Sequence, residues 1–111
     1  MTVTPATAAP GESVALRFGS ERVRGVAFTL SRWTGKDWVV NQYLTSDWGE
    51  PGTHEPTWWR ADDTERRGWP DVGVVGTGPD NVVVPDDAPT GDHLLCTANS
   101  LDRACVILQV E

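Results

Sequence analysis

Residues 90–110 read T-G-D-H-L-L-C-T-A-N-S-L-D-R-A-C-V-I-L-Q-V and hold both cysteines of the chain, Cys96 and Cys105. Each lies inside a strand-like apolar run. With residues 99–102 as the turn, Thr97 falls opposite Ala104 and Cys96 opposite Cys105, the register a cross-strand disulfide needs. A zinc site would require further Cys or His ligands at close spacing, and His54 and His93 supply no such cluster. A redox pair would be spaced C-x-x-C, which this pair is not. The expectation is therefore a structural Cys96–Cys105 disulfide, and with it an oxidising, extracytoplasmic compartment. Closing so small a loop contributes somewhat under ~3 kcal/mol through chain entropy. That is a staple on a hairpin, not the origin of a fold.

The 111 residues suit one domain, residues 1–111, large enough to bury a core without a metal. Hydrophobic content of 39% and charged content of 23% argue against disorder. No apolar run approaches the ~18 residues of a membrane span. The opening M-T-V-T-P has no basic segment followed by an apolar one, so no signal peptide is expected. A domain taken from a secreted precursor and a cytosolic chain both fit that opening, and the cysteines favour the first.

The net charge of −7 is unevenly spread: residues 1–45 carry five basic and three acidic groups, residues 46–111 four basic and thirteen acidic. An acidic chain without a basic run repels phosphate, which makes nucleic acid and anionic lipid poor partners. One lysine against eight arginines hints at a GC-rich, actinobacterial genome.

Working outward from the hairpin, the rest reads as short strands. Residues 2–4 form an edge strand ended by Pro5 and an Ala/Pro-rich link, residues 6–10, unsuited to a ladder. After a turn at Pro10, Gly11 and Glu12, Val14, Leu16 and Phe18 alternate with polar or small neighbours as a half-buried strand does. Residues 24–33 and 37–45 flank the two-residue loop Gly35-Lys36, a good hairpin signal. Its register pairs Trp33 with Trp38 and Phe28 with Tyr43. Val26, Phe28, Leu30, Val39 and Tyr43 then share the core face, and Trp33, Trp38, Val40 and Leu44 the other. Such a hairpin is apolar on both sides. Either a bulge changes the register or another element covers the second face, and covering is the expectation taken.

Residues 46–71 break the pattern as an irregular insertion, too long for an ordinary connection and holding four of the six tryptophans. Asp62 to Arg67 looks like a short helical turn capped by Asp62, with Gly68 and Pro70 beyond it. Strands at residues 72–75 and 81–84 follow. About seven antiparallel strands without a long helix make an all-β sandwich of two sheets.

Two short motifs carry a resemblance. P-G-E-S-V-A-L at residues 10–16 resembles the turn opening the second strand of bacterial immunoglobulin-like domains. P-D-D-A-P-T-G-D-H-L-L-C at residues 85–96 resembles the corner entering the sixth, with His93 where an aromatic usually stands. The pattern is similar to secreted and envelope domains of actinobacteria, including lipoprotein modules. It implies an immunoglobulin-like two-sheet sandwich. The family's inter-sheet cysteine is absent from residues 14–18.

The functional candidates are Trp48, Trp58, Trp59, Arg60 and Trp69. Exposed indoles beside Asp, Glu and Arg suit a glycan, which stacks its C–H faces on rings and bonds its hydroxyls to polar groups. The same residue types build protein hot spots, and they would equally serve as a cover for the second hairpin face. Asp80, Asp86, Asp87 and Asp92 lack the D-x-D-x-D-G spacing of a calcium loop and read as solvated turn residues, so no metal or other cofactor is expected. There is no G-x-S-x-G, H-E-x-x-H or G-x-G-x-x-G, and His93 beside Asp92 is explained by the strand-entry corner. The reading is a non-catalytic extracellular or cell-envelope module, structural or binding a protein or adjacent domain. The alternative is a carbohydrate-binding module working through residues 46–70. A small-molecule carrier resembling the enediyne-binding chromoproteins is a third, though their second disulfide is missing here.

Overall fold

The computed structural model describes residues 1–21, 27–46, 56–62, 80–98 and 101–111. Their nine strands are β1 (Thr2–Thr4), β2 (Thr7–Ala8), β3 (Ser13–Arg17), β4 (Ala27–Trp33), β5 (Trp38–Ser46), β6 (Pro56–Arg60), β7 (Asp80–Val83), β8 (Gly91–Ala98) and β9 (Cys105–Val110). They form two sheets, β1-β3-β7 and β2-β9-β8-β4-β5-β6. The fold is an all-β sandwich.

Pro5 ends β1, and its missing N–H explains why that ladder stops there. The Ala/Pro-rich link does make a ladder after all, on the other sheet. Thr7 and Ala8 run parallel to Gln109 and Val110, tied by Gln109 N–H to the Ala6 carbonyl at 2.8 Å. This parallel pair departs from the all-antiparallel expectation. It lets Ala8 bury against the core while β1 remains with β3.

The core lies between the sheets. Val14, Leu16, Val82 and Val84 come from the smaller one, and Phe28, Leu30, Leu44, Leu95, Leu108 and Val110 from the larger. Their alternation with polar neighbours is what aims them to one side. Fully burying each such side chain is worth roughly 1.5–3 kcal/mol. Gly11 sits at φ 85°, a conformation costly to residues with a Cβ. It closes the turn from Ala9 to Glu12 while its N–H donates to Val84.

The two hairpins meet their expected registers differently. In β8–β9, Cys96 stands opposite Cys105 and the disulfide is formed, with the Cα atoms 4.1 Å apart. Thr97 N–H donates to Ala104 at 2.8 Å, so the cysteines occupy the adjacent, closely spaced non-hydrogen-bonded position. In β4–β5, Gly35 takes φ 91°, Thr34 N–H donates to Asp37 at 3.0 Å, and Trp33 faces Trp38 as expected.

The register then shifts between Leu30 and Ser31. Asn41 is the extra residue, because Ser31 pairs with Val40 but Leu30 with Gln42. Phe28 therefore faces Leu44, not Tyr43. Val39, expected in the core, is 52% exposed, and Tyr43 turns to the outside. Gln42 and Leu44 take their places inside. The bulge exchanges Tyr43 for Leu44 on the inner face, while Trp33, Trp38 and Val40 keep the outer face apolar; the expected cover, residues 46–71, lies largely outside the described residues.

Candidate functional site

Directly paired residues share a face, so the registers order the larger sheet into rows. On its inner face run Trp58, Leu44, Phe28 and Thr97, then Arg60, Gln42, Leu30, Leu95 and Val106, then Val39, Arg32, His93 and Leu108. On its outer face run Trp59, Tyr43, Thr29, Cys96 and Cys105, then Val40, Ser31, Leu94 and Ile107, with the Trp33–Trp38 pair at the hairpin end. The two indoles lie 5.2 Å apart at 57°.

The outer face carries large apolar groups in water: Trp33 at 46%, Trp38 at 37% and Ile107 at 47% exposure. None of the residues named in these rows is charged, and the adjoining outer pair Asp92–Gln109 brings one carboxylate to the face. The disulfide lies on this face as well, with the Arg103 guanidinium 3.5 Å from the Cys96 sulfur. It staples the sheet's exterior and crosses no core.

The inner face ends in a step. Among the described residues, Gln42, Trp58 and Arg60 on the inner side of β5 and β6 stand across from residues 83–87 at the end of β7. Two adjoining hollows of about 360 and 260 Å³ open there and share Gln42, Arg60 and Asp87. Trp58 bridges the step: its ring packs against the core, and its indole N–H donates to the Val83 carbonyl on the opposite sheet. Gln42 Nε2 donates to Asp87 at 2.7 Å. Arg60 is solvent-facing and pairs with the equally exposed Asp62 at 3.4 Å, an interaction worth little in water.

Of the residues singled out from sequence, Trp48 and Trp69 lie outside the described residues, as do most of the supposed helical turn and the strand at residues 72–75. Trp58, Trp59 and Arg60 fall on a regular strand instead of an irregular insertion. Because they are consecutive, Trp58 and Arg60 face the step while Trp59 faces outward beside Tyr43. They do not make one site. Gln42 and Arg32, which do line the step, gave no signal in sequence, since Gln42 reaches it only through the bulge; Asp87, which reads in sequence as a solvated turn residue, lines it too.

His93 and Asp92 point to opposite faces, which removes them as an acid–base pair. His93 is fully buried. Its Nδ1 lies 3.1 Å from the Gly91 carbonyl, which places the proton on Nδ1; Nε2 is buried without a partner among the described residues. Burial pushes the imidazole pKa below its ordinary 6.5, the Gly91 bond opposes this, Arg32 adds to the lowering and Asp92 opposes it. No group of three or more His, Cys, Asp or Glu among the described residues is placed to hold a metal ion, and no helix among them is long and apolar enough to cross a membrane. Comparison with protein-family models, curated proteins and solved structures finds no match.

Proposed function

We propose that the chain is a non-catalytic, immunoglobulin-like module of the cell exterior or envelope that docks a protein or adjacent domain on the outer face of its larger sheet. The observation that carries this reading is that face: Trp33, Trp38 and Ile107 stand exposed on it, beside the charged Asp92 and Arg103. Aromatic-rich patches with arginine nearby are where protein interfaces concentrate their binding energy. A solvent-exposed patch of this kind calls for an occupant.

The strand order supports the immunoglobulin-like part. Strands β9, β8 and β4 continue into β5 and β6 and face β1-β3-β7, as variable-type domains add two strands to one sheet. The cysteine pair departs from that family, since it joins neighbours β8 and β9 in place of two sheets. A formed disulfide supports an oxidising compartment, and resemblance to actinobacterial lipoprotein modules supports envelope attachment.

The test is a photo-crosslinking residue placed at Ile107 in the producing cell. A discrete adduct at position 107, absent at Arg17 on the smaller sheet and lost with Trp33→Ala, is the expected result. Equal labelling at 107 and 17, or none at either, contradicts the reading.

A further inference from the structure

The step beneath β5 and β6 belongs to neither the core nor the outer face, and its chemistry is of another kind. We propose that it binds a neutral saccharide, held by Trp58, Arg60, Gln42, Asp87 and Arg32. The two hollows together fall in the size range of ligand clefts. One wall is aromatic: Trp58 has committed its N–H to Val83, so what it offers a ligand is ring surface suited to stacking on C–H groups.

The other walls supply both hydrogen-bonding senses. Arg32 and Arg60 donate, Asp86 and Asp87 accept, and Gln42 carries both functions. Gln42 is only 3% exposed yet lines both hollows. A carboxamide so placed on the core face of a strand is costly unless it is used, and the Asp87 bond holds it at the floor of the step.

Charge decides the ligand class. The two guanidinium and two carboxylate groups offset one another, and the chain as a whole is acidic. An anion gains nothing net from such a lining, and a cation gains little where two arginines share the lining with the carboxylates. A wholly apolar ligand would strip water from four charged groups without return. An uncharged polyol with one flat C–H face satisfies the stacking wall and both sets of polar groups. This site lies on the opposite side of the sheet from the proposed docking face, so either assignment can fail without the other.

The experiment is a titration of the ¹⁵N-labelled protein with cellotriose, chitotriose and mannotriose to millimolar concentration, and with tri-galacturonate as the charged counterpart. The expected result is saturable shifts of the Trp58 indole and Gln42 carboxamide signals with at least one neutral sugar. Arg60→Ala, at an exposed position that leaves the fold intact, should weaken it about tenfold or more, as loss of a charged hydrogen bond does. Asp87→Asn should weaken it too, and Trp33→Ala should leave it unchanged. The proposal is overturned if no neutral sugar shifts these signals, if only tri-galacturonate does, if the shifts fall on Trp33 and Trp38, or if Arg60→Ala binds as tightly as the parent.

Discussion

The hairpins β4–β5 and β8–β9 lie side by side in one sheet, pair through β4 and β8, and bury residues in the same rows. They differ in what pins their register. Two cysteines fix β8–β9, because a disulfide tolerates only one cross-strand placement. In β4–β5 a two-residue loop fixes the first three pairs, and an unannounced extra residue, Asn41, resets the rest. One added residue reverses which side chains face the core. That reversal puts Tyr43 on the outer face and Gln42 at the step. Both surfaces with a functional reading thus depend on the bulge.

The largest contrast is between truncating a side chain inside the core and truncating one at the exposed end of the same hairpin. Phe28→Ala should cost about 3–5 kcal/mol in urea denaturation, as for a fully buried aromatic. Val39→Ala should stay within ~0.5 kcal/mol, because Val39 stands in solvent. A costly Val39→Ala would place that end of β5 inside the core instead. Next, replacing Cys96 and Cys105 together by alanine should lower stability by somewhat under ~3 kcal/mol while leaving the fold in place. Reduction of the parent protein should reproduce that loss, and complete unfolding on reduction would make the staple the foundation instead.

A smaller effect separates the hairpins by pH. His93 in β8 has its folded pKa below its ordinary 6.5, so the unfolded chain takes up a proton that the fold resists. Its stabilising share is fully present above ~6.5 and is lost progressively as pH falls from there through the lower folded pKa. Thermal melts across this range should show the decline, and His93→Leu should flatten it; an unchanged slope in the variant assigns the decline to other groups. Least of all, Trp33→Ala should cost only ~0.2–1 kcal/mol, the worth of one cross-strand aromatic pair. A loss several times larger would mean that Trp33 is packed inside.

What was legible in the sequence follows the strength of its local constraints. Alternation at Val14, Leu16 and Phe18 fixed a strand and its buried side, and Gly35-Lys36 fixed a hairpin. The disulfide was readable to the residue. The bulge was not, because Asn41 has no side-chain signature for it and only tertiary packing of Leu44 against Phe28 selects it. Strand β6 hid among tryptophans because consecutive Trp58 and Trp59 give no hydrophobic alternation: each is buried or paired on its own face of the sheet. The switch of the first strand between sheets was half legible, in Pro5 but not in Thr7 and Ala8. The candidate site was least legible. Its residues come from β4, β5, β6 and the corner before β8, and only tertiary packing brings them together.

The larger sheet has one face in the core and an outer face on which Trp33, Trp38 and Ile107 stand in water. A soluble paramagnetic probe measured by NMR relaxation tests it directly. Strong relaxation of the Trp33 and Trp38 indoles and the Ile107 methyls, with little at Phe28, Leu30 and Leu95, is the expected result. Protection of Trp33, Trp38 and Ile107 to the level of those core residues would contradict it.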